Sequence, residues 1–175
     1  MFIIDTFVGN FDRHNGNWGF IVNEKSKEKK LAPVYDCGSC LYPGANDEDL
    51  QRFLNNEDEL EKRIVVFPTS AIKENSTKIN YYDFLTQTTN KECLESIREL
   101  VPKIDKKTKE IEDFINSIDV LSDVRKKFYC QILKLRKEKI LDVALERANT
   151  LTVDPKDSFA KKLANDKKQG LNLEK

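Results

Sequence analysis

The chain has 175 residues, the size of one ordinary domain with a single hydrophobic core. Its Lys and Arg residues are equal in number to its Asp and Glu residues, and this balance argues against a dedicated nucleic-acid binder. No run of about 18 apolar residues occurs, so the sequence predicts no membrane span. We therefore expect a cytoplasmic protein with no membrane partner, whose four cysteines are reduced thiols.

The first 35 residues alternate between short apolar and polar runs. Residues 2–8 are apolar except for Asp5 and Thr6, which predicts a buried helix or strand in which Asp5 faces a polar neighbour. A Gly- and Asn-rich loop follows. Residues 18–22 and 31–35 then predict the two strands of a hairpin, joined by a polar turn. Both loops that flank this hairpin are expected on the same side of it.

The rest of the chain predicts mostly helices. Asn46 is a candidate N-cap for one helix, and Ser122 for a helix over residues 123–148. Between them, apolar stripes predict a helix over 92–100 that stops at Pro102 and another over 106–118. We expect an α+β fold, predominantly α-helical, with a folded domain over residues 1–149 and a polar tail over 150–175 that is weakly helical or disordered.

The segment from Gly9 to Gly38 holds three residues with the spacing of a phosphotransferase site. Protein kinases place a catalytic Asp and a metal-binding Asn five positions apart, and a second metal carboxylate in a D-x-G segment one hairpin later. Asp12 and Asn17 have this offset, and Asp36 begins a D-x-G sequence. Such oxygen groups suit a Mg²⁺ ion bound to nucleotide phosphates. Taken alone, Asp12 and Asn17 could also be turn or capping residues.

The sequence around these residues resembles the HipA-like serine/threonine kinases, a bacterial family mostly of toxin–antitoxin origin. The family pattern is G-N-x-D-x-H-x-x-N followed by L-x-P-x-Y-D, and the chain has GNFDRHNGN and LAPVYD within roughly its first 40 residues. Phosphatidylinositol kinases share a shorter D-R-H-x-x-N, but they lack the L-x-P-x-Y approach. The resemblance therefore implies a kinase-like C-terminal lobe whose small N-terminal hairpin carries the catalytic loop.

The resemblance also implies a role for each residue of the pattern. Asp12 would be the catalytic base, and His14 would support the catalytic loop rather than transfer a proton itself. Asn17 and Asp36 would bind Mg²⁺ and, through it, ATP. The implied reaction is transfer of the ATP γ-phosphoryl group to Ser or Thr of a protein substrate.

In this family an N-terminal lobe supplies the nucleotide-binding loop, a phosphate-pairing Lys and the adenine hinge. Only eleven residues precede Asp12, and neither G-x-G-x-x-G nor G-x-x-x-x-G-K-[ST] follows it. We therefore expect an incomplete kinase. It would be a fragment, a half whose N-lobe is a separate polypeptide, or a catalytically inactive kinase-fold module with a binding or regulatory role. Its expected partners are a protein substrate and either a separate N-lobe or an antitoxin-type protein.

Three further features have simpler interpretations. Cys37 and Cys40 form a C-x-x-C, which could be a redox dithiol or half of a zinc site, although no second C-x-x-C is present to complete the zinc ligands. Trp18 is expected in the core. The lysines of residues 25–30 are expected in a solvated turn.

Overall fold

The computed structural model describes residues 1–67 and 69–151. The fold is mostly helical with two small antiparallel sheets, which confirms the predicted balance of helix and strand. Within the described residues, no helix combines the length and the apolar character needed to cross a bilayer. Almost all of the predicted tail, from residue 152 onward, lies outside the described residues.

The N-terminal unit is a short helix followed by a hairpin. Helix α1 (Phe2–Val8) ends at Gly9, which has the left-handed backbone typical of a helix C-terminus. Strands β1 (Phe20–Val22) and β2 (Lys29–Leu31) pair antiparallel, with Phe20 opposite Leu31. The predicted hairpin is present, but the placement of its second strand over residues 31–35 was wrong, because this strand covers residues 29–31 and so includes two lysines of the expected turn. The strand ends before Pro33, because proline has no N–H to donate to a ladder.

Seven helices and two π-helical segments occupy most of the described chain. The cap predictions are confirmed, because Asn46 accepts a hydrogen bond from the Asp49 N–H at 2.8 Å and Ser122 accepts one from the Arg125 N–H at 3.2 Å. After α1, the helices are α2 (Asp47–Asn55), α3 (Glu57–Glu61), α4 (Tyr81–Gln87), α5 (Lys91–Ser117), α6 (Asp123–Arg136) and α7 (Val143–Thr150), and the π-helical segments are Lys62–Val66 and Lys137–Asp142.

Helix α5 corrects the prediction that Pro102 ends a helix. It continues through Pro102 and joins the two helices expected from the sequence. An interior proline costs about 3 kcal/mol relative to alanine. Burial of each large aliphatic side chain contributes about 1.5–3 kcal/mol, so several of them outweigh that cost. The buried side chains of α5 are Leu94, Ile97, Val101, Ile104 and Ile115.

A second hairpin was missed by the sequence analysis. Strands β3 (Thr69–Glu74) and β4 (Thr77–Asn80) pair antiparallel, and Asn75 and Ser76 form the turn between them. Both turn residues have positive φ, 48° and 67°, as a type I′ turn requires. The segment is polar and has no glycine at the turn, so neither alternation nor a common turn dipeptide indicated it.

The core lies between the N-terminal helix and the long C-terminal helices. Phe128 and Ile132 of α6 are completely buried, and they form part of a cluster with Leu50, Ile97 and Leu141. The prediction for Trp18 was wrong, since its side chain is 39% exposed. It lies beside Phe20, with ring centroids 5.9 Å apart, on the outer part of the hairpin.

Gly9 is held against a buried cation. The guanidinium of Arg136 is fully buried, and its Nη2 donates to the Arg63 carbonyl at 3.0 Å. Within the described part of the chain, its Nε and Nη1 have no hydrogen-bond partner. A Cβ added at Gly9 would lie 2.1 Å from Nη1 of Arg136, and the φ of 69° is itself unfavourable for any other residue. Any other residue at position 9 would therefore adopt a strained backbone and would have to displace the buried Arg136 guanidinium.

We expect Gly9→Ala to lower the free energy of unfolding by roughly 2–4 kcal/mol, because left-handed strain and overpacking add together. Urea denaturation followed by circular dichroism measures this loss. Gly44→Ala is the matched control, since no atom of residues 1–67 or 69–151 lies within 4 Å of the Cβ that it would add. Equal midpoints for the two variants would show that Arg136 does not confine position 9.

Candidate active site

A buried ion pair lies beneath the loop that follows α1. Nη2 and Nε of Arg13 donate to the two carboxylate oxygens of Asp5, each at 2.9 Å, and both side chains are buried. Asn10 Nδ2 also donates to this carboxylate, at 3.0 Å. The hydrogen bonds and charge of Asp5 raise the pKa of Arg13, despite the opposing effect of burial. The bidentate geometry therefore fixes a permanent cation under the loop.

The same guanidinium connects the two parts of the candidate site. Nη1 of Arg13 donates to the backbone carbonyls of Asn17 and of Tyr35, the latter at 2.9 Å. Nη2 also approaches the sulfur of Cys37 at 3.9 Å. Since Tyr35 and Cys37 flank Asp36, one side chain holds the Asn17 backbone beside the segment that carries Asp36.

Two asparagines fix the backbone of the loop at Asp12. The Asp12 N–H donates to Oδ1 of Asn10 at 3.1 Å, and the Asp12 carbonyl accepts from Nδ2 of Asn17 at 2.9 Å. Asn17 is buried, and no other residue in 1–67 or 69–151 bonds to its Oδ1. The Asp12 side chain is exposed, with its carboxylate unbonded to the rest of the described chain. The loop thus presents a free carboxylate at a fixed backbone position.

Asp36 has an unusual backbone for a residue with a side chain. Its φ is 56°, in the left-handed region that Asp and Asn tolerate better than most residues. The side chain is exposed and makes no hydrogen bond to other described residues. Next to it, the Tyr35 hydroxyl donates to the Gly16 carbonyl at 3.0 Å. The Asp36 carboxylate is therefore free, as a metal ligand needs to be.

His14 organises the turn between Asp12 and Asn17. Its Nδ1 accepts a hydrogen bond from the Gly16 N–H at 3.0 Å, and the ring is exposed. The supporting role inferred for His14 stays a prediction.

The second hairpin and α4 support the loop from behind. The Arg13 carbonyl accepts from the Ser70 hydroxyl at 3.0 Å and from the Ile72 N–H at 3.1 Å. The Tyr81 hydroxyl donates to the Asn10 carbonyl at 2.7 Å. Burial, together with the charge of Asp5, raises the pKa of Tyr81 and keeps this phenol a donor. Residues far along the chain thus fix the loop.

Most of these supporting residues were missed by the sequence analysis. Asp5 alone gave a signal, because a lone carboxylate in an apolar run predicted a polar neighbour, and Arg13 is that neighbour. Arg13 lies inside the recognised pattern, but the pattern says nothing of its many backbone contacts. Ser70 and Tyr81 lie in segments with no recognisable motif.

The side chains present fit a magnesium ion that is bound mainly by a ligand and water. Within the described ranges, no group of three or more His, Cys, Asp or Glu side chains lies close enough to hold a metal ion. Asn17 and Asp36 offer two hard oxygen donors free of other bonds. Mg²⁺ often takes only one or two protein oxygens and completes its shell with phosphate and water. Whether the two donors share one ion stays a prediction.

The chain is similar in sequence and in structure to a protein kinase. No family model matches the chain. Over 161 residues, or 91% of its length, the chain is 49% identical to a serine/threonine-protein kinase. This relative is CtkA of Helicobacter pylori strain J99, of which the match covers 49%. The crystal structure of the H. pylori proinflammatory kinase CtkA is also similar, with a TM-score of 0.79 over 87% of this chain and 53% of that chain.

The chain therefore spans about half the length of the curated relative that it matches. The similarity supports the kinase expectation drawn from Asp12, Asn17 and Asp36, and it confirms a fold shared with part of a kinase structure.

Proposed function

We propose that this chain is the C-terminal lobe of a HipA-like kinase, which transfers the γ-phosphoryl group of ATP to Ser or Thr of a protein. The observation that supports this most strongly is the contact set of Arg13. One buried guanidinium bonds to the Asn17 carbonyl, beside the Asp12 loop, and to the Tyr35 carbonyl, directly before Asp36. These are the two segments that a kinase must hold together.

In this proposal Asp12 is the catalytic base. Its backbone is held on both sides by Asn10 and Asn17, while its carboxylate is exposed and free. It would orient the substrate hydroxyl and accept its proton as the hydroxyl oxygen bonds to the γ-phosphorus and the bond to the leaving ADP oxygen breaks. The fixed loop would limit the positions of this carboxylate, which is the protein's main contribution to such a reaction.

Asn17 and Asp36 would hold Mg²⁺ through Asn17 Oδ1 and the Asp36 carboxylate. Asn17 donates its amide N–H to the Asp12 carbonyl, and its amide oxygen accepts no hydrogen bond from the described residues, so this oxygen would be free to bind the ion. The bound ion supplies positive charge that neutralises the nucleotide phosphates. His14 would shape the loop through its bond with Gly16 and would carry no proton in the reaction.

An apolar surface beside the site supports the expectation of a further lobe. We define the hairpin patch as the exposed side chains of Trp18, Phe20, Ile21, Val22, Leu31 and Val34, which are between 39% and 59% exposed. Trp18 lies beside Phe20, and Phe20 lies opposite Leu31 on the paired strand, so at least these three apolar side chains adjoin one another. Exposed apolar clusters usually mark a surface that another protein segment covers. We propose that the hairpin patch packs against a lobe equivalent to the unmatched half of the kinase relative, as part of the same polypeptide or as a separate one.

The second candidate function is a catalytically inactive module, and the hairpin patch favours it as well. In that case the patch would bind a regulatory or antitoxin-type protein, and the three polar residues would not bind nucleotide.

Isothermal titration calorimetry of the chain together with an N-terminal lobe, using ATP and Mg²⁺, distinguishes the two functions. The kinase proposal expects the associated lobes to bind ATP and to transfer radiolabelled phosphate to a protein. Stable association of the lobes with neither binding nor transfer would favour the inactive module.

Replacing Asp36 tests the metal role without disturbing the fold. Mutation of a residue that only orients a metal ligand typically weakens metal binding about 10–100-fold. Since Asp36 is a proposed ligand itself, we expect Asp36→Asn to weaken Mg²⁺-dependent ATP binding on the order of tenfold or more. Asparagine tolerates the left-handed φ of 56°, so stability should change little. Asp119→Asn, an exposed carboxylate between α5 and α6, is the charge-matched control. An unchanged Mg²⁺ requirement in Asp36→Asn would remove Asp36 from the metal site.

A further inference from the structure

The turn directly after Asp36 carries two thiols that the proposed phosphoryl transfer does not use. The Cys40 N–H donates to the Cys37 carbonyl at 3.1 Å, which closes a four-residue turn. The end Cα atoms of such a turn lie within about 7 Å of each other. Disulfides need Cα separations of about 4.4–6.8 Å. The turn therefore brings the two Cα atoms to about the separation that a disulfide needs.

The two thiols differ in their surroundings. Burial, with a further effect of Cys37, raises the pKa of Cys40 to about 12. Cys37 is exposed, whereas Cys40 is half-buried. The pair therefore has one accessible sulfur and one protected, protonated sulfur beside it.

A fixed cation lies next to the accessible sulfur. Nη2 of Arg13 lies 3.9 Å from Sγ of Cys37, and its bonds to Asp5 hold it there. The other cysteines, Cys93 and Cys130, lie on the separate helices α5 and α6, and burial raises the pKa of each thiol.

We propose that Cys37 and Cys40 are a redox modification site that closes into an intramolecular disulfide when the protein meets hydrogen peroxide. Cys37 sulfur attacks one peroxide oxygen, the O–O bond breaks, and the products are a Cys37 sulfenic acid and one water. Cys40 sulfur then attacks the Cys37 sulfur, and the sulfenic oxygen leaves as a second water with the Cys40 proton. In total, two thiols lose two electrons and two protons, and the peroxide is reduced to two waters.

This modification is independent of the proposed kinase activity, because it needs only the turn and the two thiols. It would place a covalent ring immediately after Asp36, whose backbone already has a positive φ. A dithiol reductant would reopen the ring by thiol–disulfide exchange, so the modification is reversible.

Differential thiol labelling of the full chain tests the site. Oxidised protein is alkylated, reduced, labelled with a second reagent and analysed by peptide mass spectrometry. We expect the second label on Cys37 and Cys40, and the first label on Cys93 and Cys130. The variant Cys93→Ser/Cys130→Ser should behave in the same way. Three results would overturn the proposal. The second label could be spread evenly over all four cysteines, it could be absent from Cys37 and Cys40, or the disulfide could form only between two chains.

Single variants test the order of attack. Cys40→Ser should leave Cys37 as a sulfenic acid that dimedone captures, whereas Cys37→Ser should leave Cys40 unreactive toward peroxide. Circular dichroism spectra like that of the wild type would establish that both variants are folded. Dimedone capture at Cys40 in Cys37→Ser, with none at Cys37 in Cys40→Ser, contradicts the assignment of Cys37 as the attacking sulfur.

Discussion

Asp12→Asn in a kinase completed with an N-terminal lobe is expected to lower the rate of phosphoryl transfer roughly 10²–10⁴-fold, the usual contribution of a general base. The amide keeps the shape of the carboxylate but cannot accept the hydroxyl proton. The fold should be unaffected, because the hydrogen bonds at position 12 use the backbone N–H and carbonyl. We therefore expect this variant to lose most of its activity while its stability stays at the wild-type level.

Single-turnover transfer of labelled phosphate to a protein substrate measures this effect, and thermal unfolding measures stability in parallel. Glu24→Gln is the matched control, because it removes one exposed carboxylate from the turn of the neighbouring hairpin. It should transfer phosphate at the wild-type rate. A rate near that of the wild type in Asp12→Asn would exclude Asp12 as the base, whatever the other residues do.

Arg13→Ala should cause the largest loss of stability among the substitutions considered, about 3–5 kcal/mol, because it leaves the buried Asp5 carboxylate without its cation. Folded domains have only about 5–15 kcal/mol of stability, so the variant should lie near the limit of folding. The carbonyls of Asn17 and Tyr35 also lose their donor. Urea denaturation measures the free energy of unfolding.

Two further variants distinguish the stability cost of leaving the buried Asp5 charge unpaired from the cost of removing an arginine side chain. Arg52 forms an exposed ion pair with Asp49 at 2.7 Å, so Arg52→Ala should cost no more than about 1 kcal/mol. The double variant Asp5→Ala/Arg13→Ala should be more stable than Arg13→Ala, since it removes the uncompensated carboxylate as well. If the double variant is the less stable of the two, the unpaired charge is not the main cost.

The features predicted correctly from the sequence are those with a local cause. Asn46 and Ser122 cap their helices through bonds to residues three positions later. The first strand of the first hairpin lies in the apolar run that predicted it, whereas the second strand begins at Lys29, inside the predicted polar turn. Pro102 misled the prediction because its local preference is overridden by the buried face of α5. Trp18 misled it because a large apolar residue is usually buried, whereas here it belongs to the exposed hairpin patch.

The candidate site also contains both residues that a local sequence pattern predicts and residues that only the tertiary structure reveals. Asp12, Asn17 and Asp36 could be selected because their spacing is local and matches a known chemical pattern. Their support could not be predicted, because the bond from Ser70 to Arg13 spans 57 positions and the bond from Tyr81 to Asn10 spans 71. Such contacts follow from the tertiary packing of the second hairpin and α4, and no short stretch of sequence encodes them.

The network around Arg13 has a consequence for binding entropy. Ordering a flexible side chain when a ligand binds costs about 0.5–1.5 kcal/mol per side chain. Asn10, Arg13 and Asn17 are already immobilised in the folded chain by bonds to Asp5, Tyr35 and Asp12. For the proposed kinase, this ordering occurs during folding and not during nucleotide binding, so more of the free energy of each nucleotide contact remains as affinity.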